Sequence, residues 1–381
     1  MGFFSWLRGV LFPPATPLPP GMTRAEARRR RQPDFLPKPR RRTPRRRRYA
    51  RPEATFRPDE LARFDLPALA TVDDLAGALG ITTGKLRWLT WPCRDRTCDH
   101  YVRRRVPKKS GGERLLCAPK AETRRAQDWI FHEILAHVPV SSAAHGFIRG
   151  RSILSNASAH VGRRIVVSMD LEDFFPSVSI ATVVGLFEWL GYSKDVAWHL
   201  SMLCTCSYGR RRALPQGSPT SPAISNLICW KLDRRLTGLA RKFGATYTRY
   251  GDDLTFSGDF NRPNRPGRLI GMARAIVSDE GFVVGRHKTR IMRHNRRQSV
   301  TGLVVNERPS LGRDEVRRLR AILHNCRVHG VESQNRDADE VFRERLRGKI
   351  ALISMVNPDQ GAKLLAAFQE VDWGATADLD G

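Results

Sequence analysis

Residues 246–258 read TYTRYGDDLTFSG, and this stretch decides the fold. β-Branched and aromatic residues on both sides of Gly251, Asp252 and Asp253 predict strand, tight turn, strand, with two carboxylates side by side at the bend. Upstream, RRIVVSMDLEDFF (163–175) predicts an apolar strand over Arg164 to Met169 that delivers a third carboxylate, Asp170, at its end. Unpaired, three negative charges in one place are destabilising. A divalent cation relieves the repulsion, and ligands that are all oxygen suit Mg2+ better than zinc. Two such ions about 3.5–4 Å apart activate an attacking hydroxyl and stabilise the leaving oxygen of an in-line phosphoryl displacement. Asp-Asp at a turn is by itself ordinary turn chemistry, so the surrounding sequence has to carry the functional reading.

Working outward, LPALATVDDLAGALGI (66–81) has helical apolar spacing with a cap at Thr71. KKSGGERLLCAP (108–119) reads as two short strands around a Gly-Gly turn, and Trp129, Ile130, Ile134 and Leu135 mark an amphipathic helix behind it. A helix is expected near Ile180 to Leu190. LPQGSPTSPAISNLICWKLDRRLTGLARKFG (214–244) opens as a Pro/Gly loop and becomes one long helix with Ile224, Leu227, Leu232, Leu236 and Leu239 along one side. GFVVGRHKTRIM (281–292) and VTGLVVN (300–306) predict two more strands, and the chain from about Asp314 to Trp373 reads as mostly helical. No repeat period is visible. The order of elements is that of an α+β protein.

The 381 residues carry 66 Lys plus Arg against 38 Asp plus Glu, a formal charge of +28, so an anionic partner is expected. Arginine outnumbers lysine 55 to 11, a bias that a GC-rich genome also produces, so the sign of the charge says more than the choice of residue. Residues 1–52 hold 15 basic and two acidic residues and ten of the 24 prolines, a composition that cannot build a packed core. This stretch reads as a disordered basic arm and a candidate nucleic-acid tether. Its opening MGFFSWLRGVLF is too short to span a bilayer and is interrupted by Arg8. It matches neither a signal peptide nor, with Trp6, a myristoylation motif. Seven cysteines without a disulfide rhythm fit a reducing cytoplasm. Cys93, Cys98 and His100 lack a fourth zinc ligand at sensible spacing, and Cys204 and Cys206 are expected to pack behind a loop.

Beyond the arm, seven segments stand in an order that resembles the retron-type bacterial reverse transcriptases: VPKKSGGERLLCAPK, AHGFIRGRSILSNASAH, SMDLEDFFPSV, LPQGSPTSPAISN, YTRYGDDLTFSG, GFVVGRHKTRIM and VTGLVVN. One departure lies in the catalytic turn, where such enzymes usually have Ala and this chain has Gly251, still a small residue. The resemblance implies a right-hand polymerase, with fingers and palm over 56–305 and a short helical thumb with a C-terminal tail over 306–381; the disordered basic arm over 1–55 is an addition outside the shared core. It implies Asp170, Asp252 and Asp253 as ligands of two Mg2+ ions. Phe175 would be the aromatic under the sugar that collides with a ribose 2′-hydroxyl. Gln216, Gly217 and Ser218 would line the nucleotide pocket, Arg114 would grip the triphosphate and Lys288 would assist the pyrophosphate. Val300, Thr301 and Gly302, with Arg317, Arg318, Arg320 and Arg327, would hold RNA.

The resemblance also implies the partners: a structured noncoding RNA as template and primer, deoxynucleoside triphosphates, a DNA product and an effector protein from the same locus, with no membrane. The expected activity is RNA-directed DNA synthesis started from an internal guanosine 2′-hydroxyl, in the service of antiphage defence. A group II intron-like enzyme, a template-independent antiphage polymerase and an inactive RNA-binding module are the competing readings. A group II enzyme carries more chain after its thumb than the roughly 70 residues that follow VTGLVVN, and retention of all three aspartates argues against an inactive module. Asp173 is expected to cap a helix or form a salt bridge, and His145 and His160 to be structural or to contact RNA backbone.

Overall fold

The structure is a computed structural model that describes residues 55–91, 100–107, 111–209, 211–260 and 265–374. Most of the proposed arm and both Cys93 and Cys98 lie outside the described residues. Helices and antiparallel strands are mixed throughout, as an α+β fold requires. The chain divides into two compact units, one comprising 1–140 with 173–230, the other 141–172 with 231–381.

In the first unit, helix Val72–Ala78 starts at Thr71 in a capping box: the Thr71 side chain accepts from the Asp74 amide, and the Asp74 carboxylate accepts from the Thr71 amide at 2.8 Å. Such a cap is worth about 1 kcal/mol. The basic hairpin pairs Tyr101–Pro107 with Glu113–Pro119 in a register that places Pro107 opposite Glu113. Its first strand therefore lies entirely upstream of the KKSGG segment, and Gly111 and Gly112 both have positive φ before the return strand. Helix Ala121–Glu133 buries Ala126, Gln127 and Ile130. Helices Ile180–Leu190 and Lys194–Cys204 bury Val183, Phe187, Leu190, Val196 and Leu200. Gly191 joins them at φ +119°, and a Cβ there would lie 2.6 Å from the Arg57 carbonyl, so only glycine fits.

The long helix expected after residue 220 is instead two, Thr220–Ile228 and Trp230–Lys242, interrupted at Cys229. The apolar side chains of the two segments differ in phase. At about 100° per residue, Ile224 and Leu227 point roughly 120° away from the stripe formed by Leu232, Leu236 and Leu239. The interruption falls next to the boundary between the two compact units.

The second unit is built on a four-stranded antiparallel sheet of β1 (Ile165–Asp170), β2 (Ala245–Tyr250), β3 (Asp253–Gly258) and β4 (Arg290–Arg293), in the order β2-β3-β1-β4. Val166, Val167, Met169, Leu254 and Phe256 are buried, which holds the centre of the sheet. The segment VTGLVVN forms a two-residue hairpin rather than one strand: Ser299–Val300 pairs with Leu303–Val304 around Thr301 (φ +47°) and Gly302 (φ +87°). Two consecutive positive φ values are the mark of the tight turn that matches strand twist. In GFVVGRHKTRIM only the end, from Arg290, is strand. Helices Arg313–His329, Phe342–Val356 and Pro358–Gln369 close a separate core around Leu319, Leu323, Leu346, Ile350, Ile353 and Phe368.

Candidate active site

The GDD turn is set by register. Tyr250 pairs with Asp253, leaving Gly251 and Asp252 as a two-residue turn in which Gly251 takes φ +63°. Asp253 begins β3 directly opposite Asp170 at the end of β1. The Leu171 amide donates to the Asp252 carbonyl at 3.0 Å, which ties the turn to the chain beyond Asp170. Side chains directly opposed in such a pair have Cβ atoms about 4.5–5.5 Å apart, so like charges there repel.

The electrostatics follow from that geometry. Burial, then the charges of Asp252 and Asp170, push the Asp253 carboxyl up to about 7, with Lys288 opposing them. The Lys288 ammonium donates to Asp170 Oδ2 at 2.8 Å, and that bond raises the lysine's own pKa. Among the described residues no three His, Cys, Asp or Glu side chains are gathered at metal-holding distances; Asp252 and Asp170 act on Asp253 through their charge. Three carboxylates brought to one end of the sheet offer only oxygen donors, the kind that a hard divalent cation takes.

A cleft of about 440 Å³ opens on this cluster. Asp170, Asp253, Tyr250 and Lys288 share its wall with Thr301 and Gly302 of the VTG hairpin. The Val300 side chain instead points into the core with Ala157, Val166, Leu303 and Val305. Thr301 Oγ1 donates to the Ile153 carbonyl at 3.1 Å, which fixes the hairpin to the helix Ile153–Ser158.

Several residues that hold the turn lie far from it in sequence, and of these the AHGF segment, His145 and His160 were singled out from the sequence while Arg249 and Asp233 were not. Ala143 and His145 exchange backbone hydrogen bonds of 2.7 Å with Arg249, so the AHGF segment extends the edge of β2. A Cβ on Gly146 would lie 2.6 Å from the Gly251 amide, so this glycine permits backbone-to-backbone contact with the turn. Phe147 follows at φ +63°, a strained value for an aromatic residue, with its ring against Gly251 and 6.2 Å from that of Tyr250. His160 is fully buried with Nδ1 2.7 Å from Ser257 Oγ and Nε2 2.7 Å from Thr248 Oγ1, and burial pushes its pKa down to about 3. His145 is bonded to Ser155 at 2.9 Å. Arg249 and Asp233 form a buried bidentate pair beneath the turn. Losing one member of such a pair costs about 3–5 kcal/mol.

The remaining nucleotide-pocket candidates lie in the first unit. Phe175 is half-buried in the short helix Phe174–Ser177, its ring 5.3 Å from Phe174. Asp173 occupies the N-cap position of that helix at φ +45° but makes no side-chain cap bond. The Gln216 carbonyl accepts from the Cys117 amide at 2.7 Å, and a Cβ on Gly217 would come 3.2 Å from the Cys117 carbonyl, so this loop is laid directly on the hairpin. Ser218 is buried and donates to Gln127 Oε1 at 2.8 Å, which makes it a structural anchor of the loop. Arg114 is exposed on the return strand opposite Val106. Cys204 and Cys206 are buried, and burial pushes the Cys204 thiol up to about 12. In the second unit, Arg317, Arg318 and Arg320 are exposed on helix Arg313–His329, while Arg327 donates to Glu370 at 2.6 Å. Among the described residues no helix is long and apolar enough to cross a membrane.

Residues 106–317 match the family described as reverse transcriptase (RNA-dependent DNA polymerase), a span that contains the three aspartates, the loop at Gln216 and the VTG hairpin. The class is therefore RNA-directed DNA polymerase, an enzyme that takes an RNA template and deoxynucleoside triphosphates and works with divalent metal ions. The Retron Mx65 reverse transcriptase of Myxococcus xanthus is 44% identical over 323 residues, covering 81% of this chain and 74% of its own. The Retron Mx162 reverse transcriptase of the same organism is 41% identical over 348 residues (84% and 71%), and the Retron Ec86 reverse transcriptase of Escherichia coli 35% over 319 residues (84% and 93%). The chain belongs to the retron reverse transcriptases.

Proposed function

We propose that this enzyme copies part of a structured noncoding RNA into a short single-stranded DNA, starting from the 2′-hydroxyl of an internal guanosine in that RNA, so that DNA and RNA remain joined by a 2′,5′ branch. The observation that carries the reading is the shared cleft: Thr301 and Gly302 stand in the same concavity as Asp170 and Asp253. An RNA held at the VTG hairpin can therefore present a ribose hydroxyl to the carboxylates without leaving the cleft.

In this reading residues 56–305 form fingers and palm, 306–381 the thumb and tail, and 1–55 an arm that adds phosphate contacts. Asp170, Asp252 and Asp253 hold two Mg2+ ions, which when bound supply charge neutralisation at the attacking and leaving oxygens. Phe175 excludes the ribose 2′-hydroxyl of an incoming nucleotide. Gln216 and Gly217 admit the base pair closely, with Ser218 fixing their loop. Arg114 takes the triphosphate, and Lys288, more than half exposed beside Asp170, takes charge developing on the pyrophosphate. The arginines of helix Arg313–His329 follow the phosphate backbone. The product serves antiphage defence in the cytoplasm together with an effector protein from the same locus.

Protein purified from cells carrying its native locus tests this reading. The expected result is a bound short DNA whose size shifts after treatment with a debranching enzyme. Unbranched DNA, or none while the locus RNA is expressed, would leave an RNA-directed DNA polymerase of another priming mode.

A further inference from the structure

The buried pair Arg249–Asp233 reaches the catalytic turn from below. Asp233 sits on helix Trp230–Lys242, and Arg249 is in the penultimate position of β2. Both side chains are wholly buried. Arg249 Nε donates to Asp233 Oδ1 and Nη2 to Oδ2, each at 2.9 Å, and Tyr247 Oη donates to Asp233 Oδ1 at 2.9 Å. The third guanidinium nitrogen, Nη1, donates to the Gly251 carbonyl at 3.2 Å. One planar group thus connects a helix carboxylate to the backbone of the turn that carries Asp252 and starts Asp253.

A pair buried this deeply is a poor way to gain stability, because desolvation offsets most of its attraction and well-packed apolar residues do as well. The turn has reason to need it. Gly251 is at φ +63°, one of several backbone conformations about equally open to a glycine, and the neighbouring carboxylates repel one another. A fixed cation that binds the Gly251 carbonyl sets the orientation of the following peptide and so of Asp252. Lysine would supply the charge but not the rigid fork that fills two carboxylate oxygens and still reaches the carbonyl.

We propose that Arg249, oriented by Asp233, is a positioning residue for the catalytic turn, and that its function is the placement of Asp252 and Asp253 rather than the stability of the fold. The proposal rests on the reading of those aspartates as the polymerase centre.

The test compares three variants of the full chain in single-nucleotide extension on an RNA template, with primer–template affinity, thermal melting and Mn2+ binding by electron paramagnetic resonance as separate readouts. Tyr247→Phe/Asp233→Leu/Arg249→Met removes the three mutually dependent polar groups together, which avoids leaving a buried charge alone. Arg249→Lys is the second arm and keeps the charge should the triple variant fail to fold. Asp252→Asn is the control for the underlying reading. The expected outcome is unchanged melting for the triple variant and lower melting for Arg249→Lys, which leaves buried acceptors unfilled, with unchanged primer–template affinity, weaker Mn2+ binding, and a maximal rate lower by roughly ten- to hundredfold in both, the scale of loss from a sub-ångström to 1 Å misplacement. A folded triple variant, or failing that a folded Arg249→Lys, with wild-type rate and Mn2+ binding overturns the positioning role. Full activity in Asp252→Asn overturns the site itself, a distinct result.

Discussion

Asp170 and Asp253 face each other across the antiparallel pair of β1 and β3, the last residue of one strand against the first of the next. Their opposition, with Asp252 in the adjoining turn, gives the second unit a local excess of negative charge that the fold itself does not need. Lys288 is bonded to only one of the three, Asp170.

That excess has a measurable cost. The Asp253 carboxyl is raised to about 7 in the folded protein, so folding favours its protonated form and stability is lost as pH rises from about 4 through 7. In chelator at pH 8, Asp253→Asn is expected to be more stable than wild type by about 1 kcal/mol or more, roughly 1–2 °C in Tm for a chain of this size. The same variant should lose DNA synthesis. Thermal melts with and without Mg2+ check this, since the ion should narrow the difference by stabilising wild type selectively.

His160 makes the opposite prediction. Its pKa is pushed down to about 3 because burial disfavours the imidazolium. The stability of its neutral form is fully present above about pH 6.5 and is lost as pH falls toward 3, at up to about 1.4 kcal/mol per unit. His160→Gln should melt lower at pH 7.5 but show a shallower decline between pH 6.5 and 4.5; parallel slopes for the two proteins would mean that another group sets the acid limb.

For sugar choice, Phe175→Val should admit ribonucleotides more readily, cutting the preference for a deoxynucleotide by roughly tenfold or more. Matched single-nucleotide incorporations measure the ratio, and an unchanged ratio assigns the gate to another group.

On helix Arg313–His329 the arginines are not equivalent. Arg313, Arg317, Arg320 and His324 follow the i, i+4, i+7, i+11 pattern and are all exposed, whereas Arg318 is turned about 100° away from Arg317. Replacing Arg317 and Arg320 by Gln should reduce the slope of log affinity against log salt for RNA by about one for each phosphate that is no longer neutralised. Arg318→Gln should change it less, which a salt titration of RNA binding shows directly.

What was legible in the sequence was local. Thr71 and Asp74, three apart, are read as a cap without knowing any neighbour, and the GDD hairpin follows from its own residues. The strand ending at Asp170 was legible to within a residue. The interruption at Cys229 was hidden because the apolar residues on either side each look helical; only their relative rotation shows that two faces are involved. The VTG hairpin was missed because Leu303, Val304 and Val305 mask a two-residue turn whose positive φ falls partly on Thr301, a residue that seldom adopts it. Arg249 and Asp233 were invisible for another reason. In an arginine-rich chain each reads as an ordinary surface charge, and nothing within a few residues announces a partner sixteen positions away. Gly146 likewise becomes meaningful only when its backbone is seen against Gly251.

The central claim is that the carboxylates gathered at the β1–β3 end perform the nucleotidyl transfer. The most direct test is Mg2+-dependent incorporation of a single deoxynucleotide on a primed RNA template by wild type and by Asp252→Asn, with RNA affinity and thermal melting measured on the same preparations. Asp252→Asn is predicted to bind RNA and melt like wild type while incorporation falls by at least roughly a thousandfold, as expected when a group needed for metal-assisted phosphoryl transfer is removed. Incorporation at the wild-type rate by the folded Asp252→Asn protein would contradict the claim.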